Sequence, residues 1–451
     1  MKTSNKLSRN ILALLVLAIC NLFTLSATAQ VAIEGGTVHT ISGDVIEGGT
    51  VLISADGKIE AVGKAGAVTV PGAYKKIDAS GKVVTPGLFD AYTSLGLVEI
   101  WAVKASRHAS SGPGNFNASH LAADSFNRRS ANIPIQREGG VTDVVIIPDG
   151  GVIQGQAAHI SLAGEAVFAA TVTPSVAMIM RLGSRAASTL GTSRGGVLAT
   201  LRQVYQDARF YQKNKTKYDE RRSRDLSAPA GDLDALSKTF ERGLPVMFLV
   251  DRAGDIEAAL AFAKEQNIAP VIVGGAEAWM VRDQLAAAKV PVITNPLYNL
   301  PADFDELGSR ADNAALLAAA GVPVILSTFE SHNVRKLRQI AGNAVRAGLD
   351  YDSALRAITL TPATTMGAGA THGSLEKGKV ANVVIWSGDP LEFSSRVEVM
   401  MIQGKEVSLE NRQRALFSRY DKLERRGPPA KKNPDAKEDA NKPEAEENQG
   451  E

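Results

Sequence analysis

Five short apolar runs constrain this chain more than anything else in it: residues 141–147, 245–250, 270–273, 290–294 and 322–327. They have strand length and are rich in β-branched residues. Helical patterning follows the second at 256–266, with Asp255 as its N-cap, and the third at 276–289. Strands apolar on both faces that alternate with helices belong to a buried parallel sheet. Repeats about 20–30 residues apart suit a (β/α)8 barrel or a doubly wound sheet. No Gly-x-Gly-x-x-Gly follows the first strand, which weakens the dinucleotide-binding version of the latter.

A different texture brackets this region. Between residues 31 and 85, apolar runs at 50–53 and 58–62 alternate with glycine turns at Gly35-Gly36, Gly48-Gly49 and Asp56-Gly57. Residues 379–386 and 397–402 have the same character. Ser387-Gly388-Asp389-Pro390 separates them, and Gln403-Gly404-Lys405 follows. The simplest account is one small β-sandwich built from both ends of the chain, 30–85 plus 374–408. It accompanies an α/β (β/α)8 TIM-type barrel at 86–373. A C-terminal helix is expected at 409–426.

The N-terminus reads as a signal peptide, residues 1–29. Lys2, Lys6 and Arg9 precede a short apolar run at 11–19, and Ala27-Thr28-Ala29 fits a cleavage site before Gln30. The expected location is therefore exported and periplasmic. Ile19 is bulkier than lipobox peptidases accept, which argues against a lipid anchor on Cys20. As the sole cysteine, Cys20 also excludes an internal disulfide. No later run approaches the ~18 apolar residues of a membrane span. Cleavage removes three positive charges and no acids, taking the net charge from +2 to −1, which gives no footprint for nucleic acid. Residues 202–226 are highly charged and read as a solvated helix or insertion. From 427 to 451 the chain is rich in Pro, Lys, Glu and Asn, so disorder is expected.

Several segments then point to a family. They are Val83-Val84-Thr85-Pro86-Gly87-Leu88-Phe89-Asp90-Ala91, residues 354–363, residues 373–382 and Gly388-Asp389-Pro390. They resemble the imidazolonepropionase-like branch of the amidohydrolase superfamily, over nearly the whole mature chain to about residue 408. The resemblance implies a catalytic zinc or other divalent metal at the C-terminal ends of the barrel strands. Position by position, the first-strand histidine pair corresponds to Tyr92 and Ser94. The fifth-strand histidine falls near Asp251 and the sixth-strand histidine near Gly274. The eighth-strand aspartate corresponds to Phe329, and no fourth-strand lysine or glutamate is evident. A catalytic zinc takes about three protein donors and an open position. Only Asp251 among these residues keeps one. The chain therefore reads as a degenerate member with no cofactor expected. It would be a non-catalytic homologue that partners a catalytic paralogue, forms a homo-oligomer or binds a small ligand.

The alternative is an active hydrolase of non-peptide carbon–nitrogen bonds, taking cyclic amides or small peptides at a rearranged metal site. The residues available for it are Asp251, His332, Glu330, His108 and His120. None of the six histidines has His-x-His or His-x-x-x-His spacing. Asp90 reads as structural. The glycines of Asp149-Gly150-Gly151 read as a sharp turn. Ser106, Ser110 and Ser111 lack an acid that would orient His108 into a triad.

Overall fold

The structure is a computed structural model that describes residues 30–110, 112, 114–163 and 171–421. The expected signal peptide, Cys20 and the 427–451 tail lie outside the described residues. The chain divides after Leu409 into two units. The second holds a helix, Arg412–Tyr420, capped by Asn411, whose side-chain oxygen accepts from the N–H groups of Gln413 and Arg414.

In the first unit, β1 (Val31–His39), β2 (Val45–Ile53), β3 (Ile59–Lys64), β4 (Lys75–Asp78) and β5 (Val83–Pro86) open a sheet. The barrel follows: β6 (Leu88–Thr93), β7 (Val141–Ile146), β8 (Ile153–Ser161), β9 (Thr171–Arg181), β10 (Val246–Val250), β11 (Pro270–Gly274), β12 (Val292–Thr294) and β13 (Val324–Leu326). The chain then returns to the first sheet as β14 (Val383–Trp386), β15 (Val397–Ile402) and β16 (Lys405–Glu406).

The barrel strands pair in chain order from β6 to β13, which bears out the TIM-like architecture. One strand departs from the parallel pattern: β8 runs antiparallel to both β7 and β9. A parallel return needs a crossover of a dozen or more residues, and only 147–152 join β7 to β8. A short loop therefore dictates a hairpin. The barrel interior is filled by Phe89, Ala91, Val145, Ala157, Ile179, Met247, Val271, Ile293 and Ile325, all buried. The opposite strand faces pack under the helices.

The helices differ in detail from the sequence reading. The one after β10 spans Ala253–Gln266, so Asp255 sits in its first turn and is not its cap. The stretch 276–289 splits into a 3-10 turn, Ala278–Val281, and a short helix, Arg282–Ala287. The charged region begins inside the helix Arg194–Lys213, whose inner face is anything but solvated. Tyr205 is fully buried there, edge-on to Phe262 at 5.4 Å between ring centres.

In the first sheet, β1 changes partner midway. Residues 31–34 lie parallel to β4, and 37–38 lie parallel to β5. The switch occurs at Gly35-Gly36, which the sequence suggested was a turn. It is instead a bulge facing Gly49 across β2, so Gly48-Gly49 is no turn either. A Cβ on Gly36 would meet Val84 at 2.8 Å, and one on Gly49 would meet Val38 at 2.7 Å. Glycine is required there by close approach between strands. The Pro86-Gly87 step joins sheet to barrel. Gly87 donates to Asn382 O at 2.9 Å, and a Cβ on it would collide with Thr142 Oγ1 at 2.1 Å.

Candidate functional site

The C-terminal ends of the parallel strands, where barrels of this kind place their sites, surround a cavity of about 490 Å³. Tyr92 reaches it from β6, Arg181 from the end of β9, Asp251 from just after β10, Gly274 from the end of β11 and Phe329 from beyond β13. Four positions identified in the sequence thus converge on one space. Ser94 does not line it; its carbonyl accepts from the N–H groups of Leu97 and Val98 in the following turn. Arg181 was missed because the apolar stretch 176–180 before it follows an exposed, proline-bearing half-strand and was not recognised as a barrel strand.

Asp251 Oδ1 accepts from the Ala276 N–H at 3.3 Å and lies over Gly274, where a Cβ would stand 2.3 Å from that oxygen. Gly274 also has φ +90°, which L side chains rarely adopt. Its lack of a side chain is thus the condition for the Asp251 position. Burial pushes the Asp251 carboxyl up to about 7, the negative charges of Glu306 and Asp303 add to this, and Arg185 opposes it. An aromatic wall faces it. Tyr92 and Phe329 lie 4.9 Å apart, and Phe329 and Tyr298 lie 5.8 Å apart. Phe329 holds φ +59°, a strained conformation for a bulky residue. Burial drives the Tyr92 phenol well above its ordinary value, so it stays neutral and is a poor metal ligand.

Asp90 is fully buried and lies beside the cavity's strand ends. Its carboxylate accepts from the Ser327 and Thr328 hydroxyls and from the Thr328 N–H at 3.3 Å. Ser327 Oγ also donates to Tyr92 O at 2.9 Å. No strand pairing joins β6 to β13, so these side-chain bonds close the barrel seam. Burial raises the Asp90 carboxyl to about 6 despite those donors.

The other sequence candidates do not assemble at the mouth. His332 is held by Glu99 O at 2.6 Å and Ser331 Oγ at 2.7 Å. His108 is exposed. His120 has a buried Nε2 without a hydrogen-bond partner, and burial lowers its pKa. The main-chain oxygen of Glu330 accepts from Thr93 Oγ1. None of these four lines the cavity.

Near the N-terminal ends of β6 and β7, at the opposite end of the barrel from the mouth, lies a second cluster. Asp143 on β7, His159 on β8 and His372 present donor atoms within 4.8 Å of one another, and all three are buried. His159 Nε2 lies 2.8 Å, and His372 Nε2 3.9 Å, from Asp143 Oδ1. The other Asp143 oxygen accepts from Thr142 Oγ1 and Asn382 Nδ2, each at 2.7 Å. Thr371 Oγ1 lies 2.8 Å from His372 Nδ1. Burial alone would raise the Asp143 carboxyl, but the hydrogen bond to His159 and the nearness of His372 bring it below its ordinary value. Burial lowers His372, favouring the neutral ring. An ionised carboxylate with a neutral imidazole is the ligand form that zinc takes.

Residues 226–407 match the profile of the Amidohydrolase family. They carry an amidohydrolase family domain. An amidohydrolase from Thermotoga maritima MSB8 is similar to the chain at 26% identity, with a TM-score of 0.76 over 84% of this chain and 99% of that one. Two further structures share the fold at 18% identity. Molinate hydrolase has a TM-score of 0.54, covering 85% of this chain and 95% of its own. An adenosine deaminase from Xanthomonas campestris with bound zinc has a TM-score of 0.52, covering 87% and 97%. The amidohydrolase tasK of Hapsidospora irregularis is 28% identical over 98 residues, which is 22% of this chain and 10% of that protein.

The amidohydrolase-type frame also corrects one expectation. No cofactor was anticipated, because the mouth positions had lost their donors. The Asp143, His159 and His372 cluster overturns that expectation, because it gathers three metal-ligand groups within 4.8 Å of one another. The donor set fits a divalent cation, with Thr142, Asn382 and Thr371 orienting the ligands. A cation there would supply cross-linking of β7, β8 and the segment leading back to the first sheet. The sequence hid this cluster because its members sit on three separate elements and form no short motif.

Proposed function

We propose that this amidohydrolase-fold chain is an exported protein that binds a small amide-type ligand in its mouth cavity without hydrolysing it. The observation carrying this reading is the composition of the strand ends. Tyr92, Arg181, Gly274 and Phe329 stand around Asp251, and among the described residues no imidazole lines the cavity with it. The cavity has the size and mixed lining of a small-molecule site. The basic–apolar–small pattern of residues 1–29 supports export, and N-terminal sequencing of the secreted protein should give Gln30 first. Exposed Leu300, Phe304 and Leu307 support a second amidohydrolase-fold subunit, paralogous or identical, seated near the mouth.

The test is a thermal-shift screen of small amides and dipeptides, followed by mass spectrometry of each compound that binds. Binding with no product is the expected result, and turnover of a bound amide would overturn the reading. A hydrolytic reading has one observation in its favour. A carboxyl near 7 is matched to proton transfer at neutral pH. Under that reading Asp251→Asn should abolish a measurable turnover.

A further inference from the structure

Beside the mouth cavity is a recess of about 40 Å³, close to the space one water or one ammonium group fills. Asp251 and Glu306 line both spaces. Among the described residues neither carboxylate takes part in an ion pair. The guanidiniums around these spaces are engaged elsewhere: Arg310, which itself lines the recess, with Asp312, Arg185 with Asp303 at 3.3 Å, and Arg181 with Asp149 at 3.5 Å. A third acceptor lines the recess from a different element. Asn313 is 4% exposed, and its Nδ2 donates to Gly275 O at 2.9 Å. Its Oδ1 is buried without a partner. A buried acceptor left unpaired costs its desolvation, which a donor entering the recess would relieve.

The remaining lining discriminates between kinds of cation. Tyr298 and Phe329 present rings to the recess, and aromatic faces attract organic cations. The adjoining cavity is walled by Leu182, Leu249 and Leu297, surface that a bare metal ion would leave uncovered. We propose that the recess receives the protonated amino group of a ligand whose apolar body lies in the mouth cavity. The site therefore selects primary amines with an apolar flank, such as α-amino amides. This rests on the ligand-binding reading above and adds to it the charge that the ligand carries toward Asp251, Glu306 and Asn313.

The test is calorimetric titration of the intact protein at pH 7, below the ordinary α-amino value of about 7.7–8.0, with phenylalaninamide, N-acetylphenylalaninamide and calcium chloride. The first two share a body and differ in the ammonium. The expected result is that phenylalaninamide binds at least about tenfold more tightly than its acetylated form, and that Glu306→Gln removes this preference. Glu330→Gln, which lies outside the recess, should leave it intact. Equal affinities, or a preference for the acetylated compound, would overturn the ammonium assignment while leaving the amide-binding role standing. Calcium binding that Glu306→Gln abolishes, without amine binding, would assign the recess to a metal ion. If neither amide binds but neutral amides from the screen do, the ammonium assignment fails alone. If nothing in the screen binds, the mouth-cavity reading fails with it.

Discussion

At the residue scale, Asp251 should declare itself through pH. Its folded-state carboxyl titrates near 7, above its ordinary value of 3.8, so the native state holds the proton more tightly than the unfolded chain. The contribution to stability is therefore greatest in acid and is lost as pH rises through 7. The groups facing it are Glu306, Asp303 and Arg185. Relative to wild type, Asp251→Asn should gain on the order of 2–4 kcal/mol between pH 4.5 and pH 8, read by urea denaturation at each pH. An unchanged difference across that range would contradict the assignment. Asp90 makes the opposite case. Its ties to Ser327 and Thr328 hold the seam, and Asp90→Ala should cost roughly 2–4 kcal/mol of unfolding free energy. Tyr92, Gly274 and Phe329 were legible in the sequence because the family resemblance sets a ligand position at each of them. Arg181 was not, since the strand that carries it begins with an exposed, proline-bearing stretch.

Elements show where local pattern succeeds and where chain geometry overrides it. β10 to β13 announce themselves as apolar runs because both of their faces are buried. β8 is buried along its whole length too, yet its direction could be inferred only from the length of the loop before it. The glycine pairs of β1 and β2 misled for a related reason. A bulge and a turn use the same residue, and only the partner strand distinguishes them. Gly274 at the end of β11 gives a direct check. Gly274→Ala places a methyl against Asp251 at positive φ and should destabilise by about 1–3 kcal/mol while weakening ligand binding, measured by melting and titration. At the other end of β7 and β8, added zinc should raise the melting temperature. The gain should be about 2.7 kcal/mol when zinc is a hundredfold above its dissociation constant. EDTA should reverse it, and His372→Ala should abolish it.

For the whole molecule, the two ends of the first sheet are interdependent. Pro86, Thr85, Val84 and Val83 pair in register with Val383 through Trp386, and Trp386 Nε1 donates to Thr85 Oγ1 at 2.9 Å across 301 positions of chain. Trp386 also fits beside Gly140, where a Cβ would touch its ring at 2.3 Å. A chain ending at residue 373 should therefore lose cooperative unfolding, visible as a broad, sloping thermal transition by circular dichroism. The Val83-to-Ala91 and 373–382 motifs revealed this architecture in the sequence because both lie at the joint. The chemistry of the mouth and of the base cluster depends on residues brought together from distant elements, which no local spacing records.

The sheet's closing pair also has a temporal consequence. A polypeptide emerging from a ribosome or a translocation pore cannot zip Val83–Pro86 to its mate until more than four-fifths of the chain has appeared. The nascent protein must wait in an open, chaperone-accessible form and commit to its native topology only near the end of its passage.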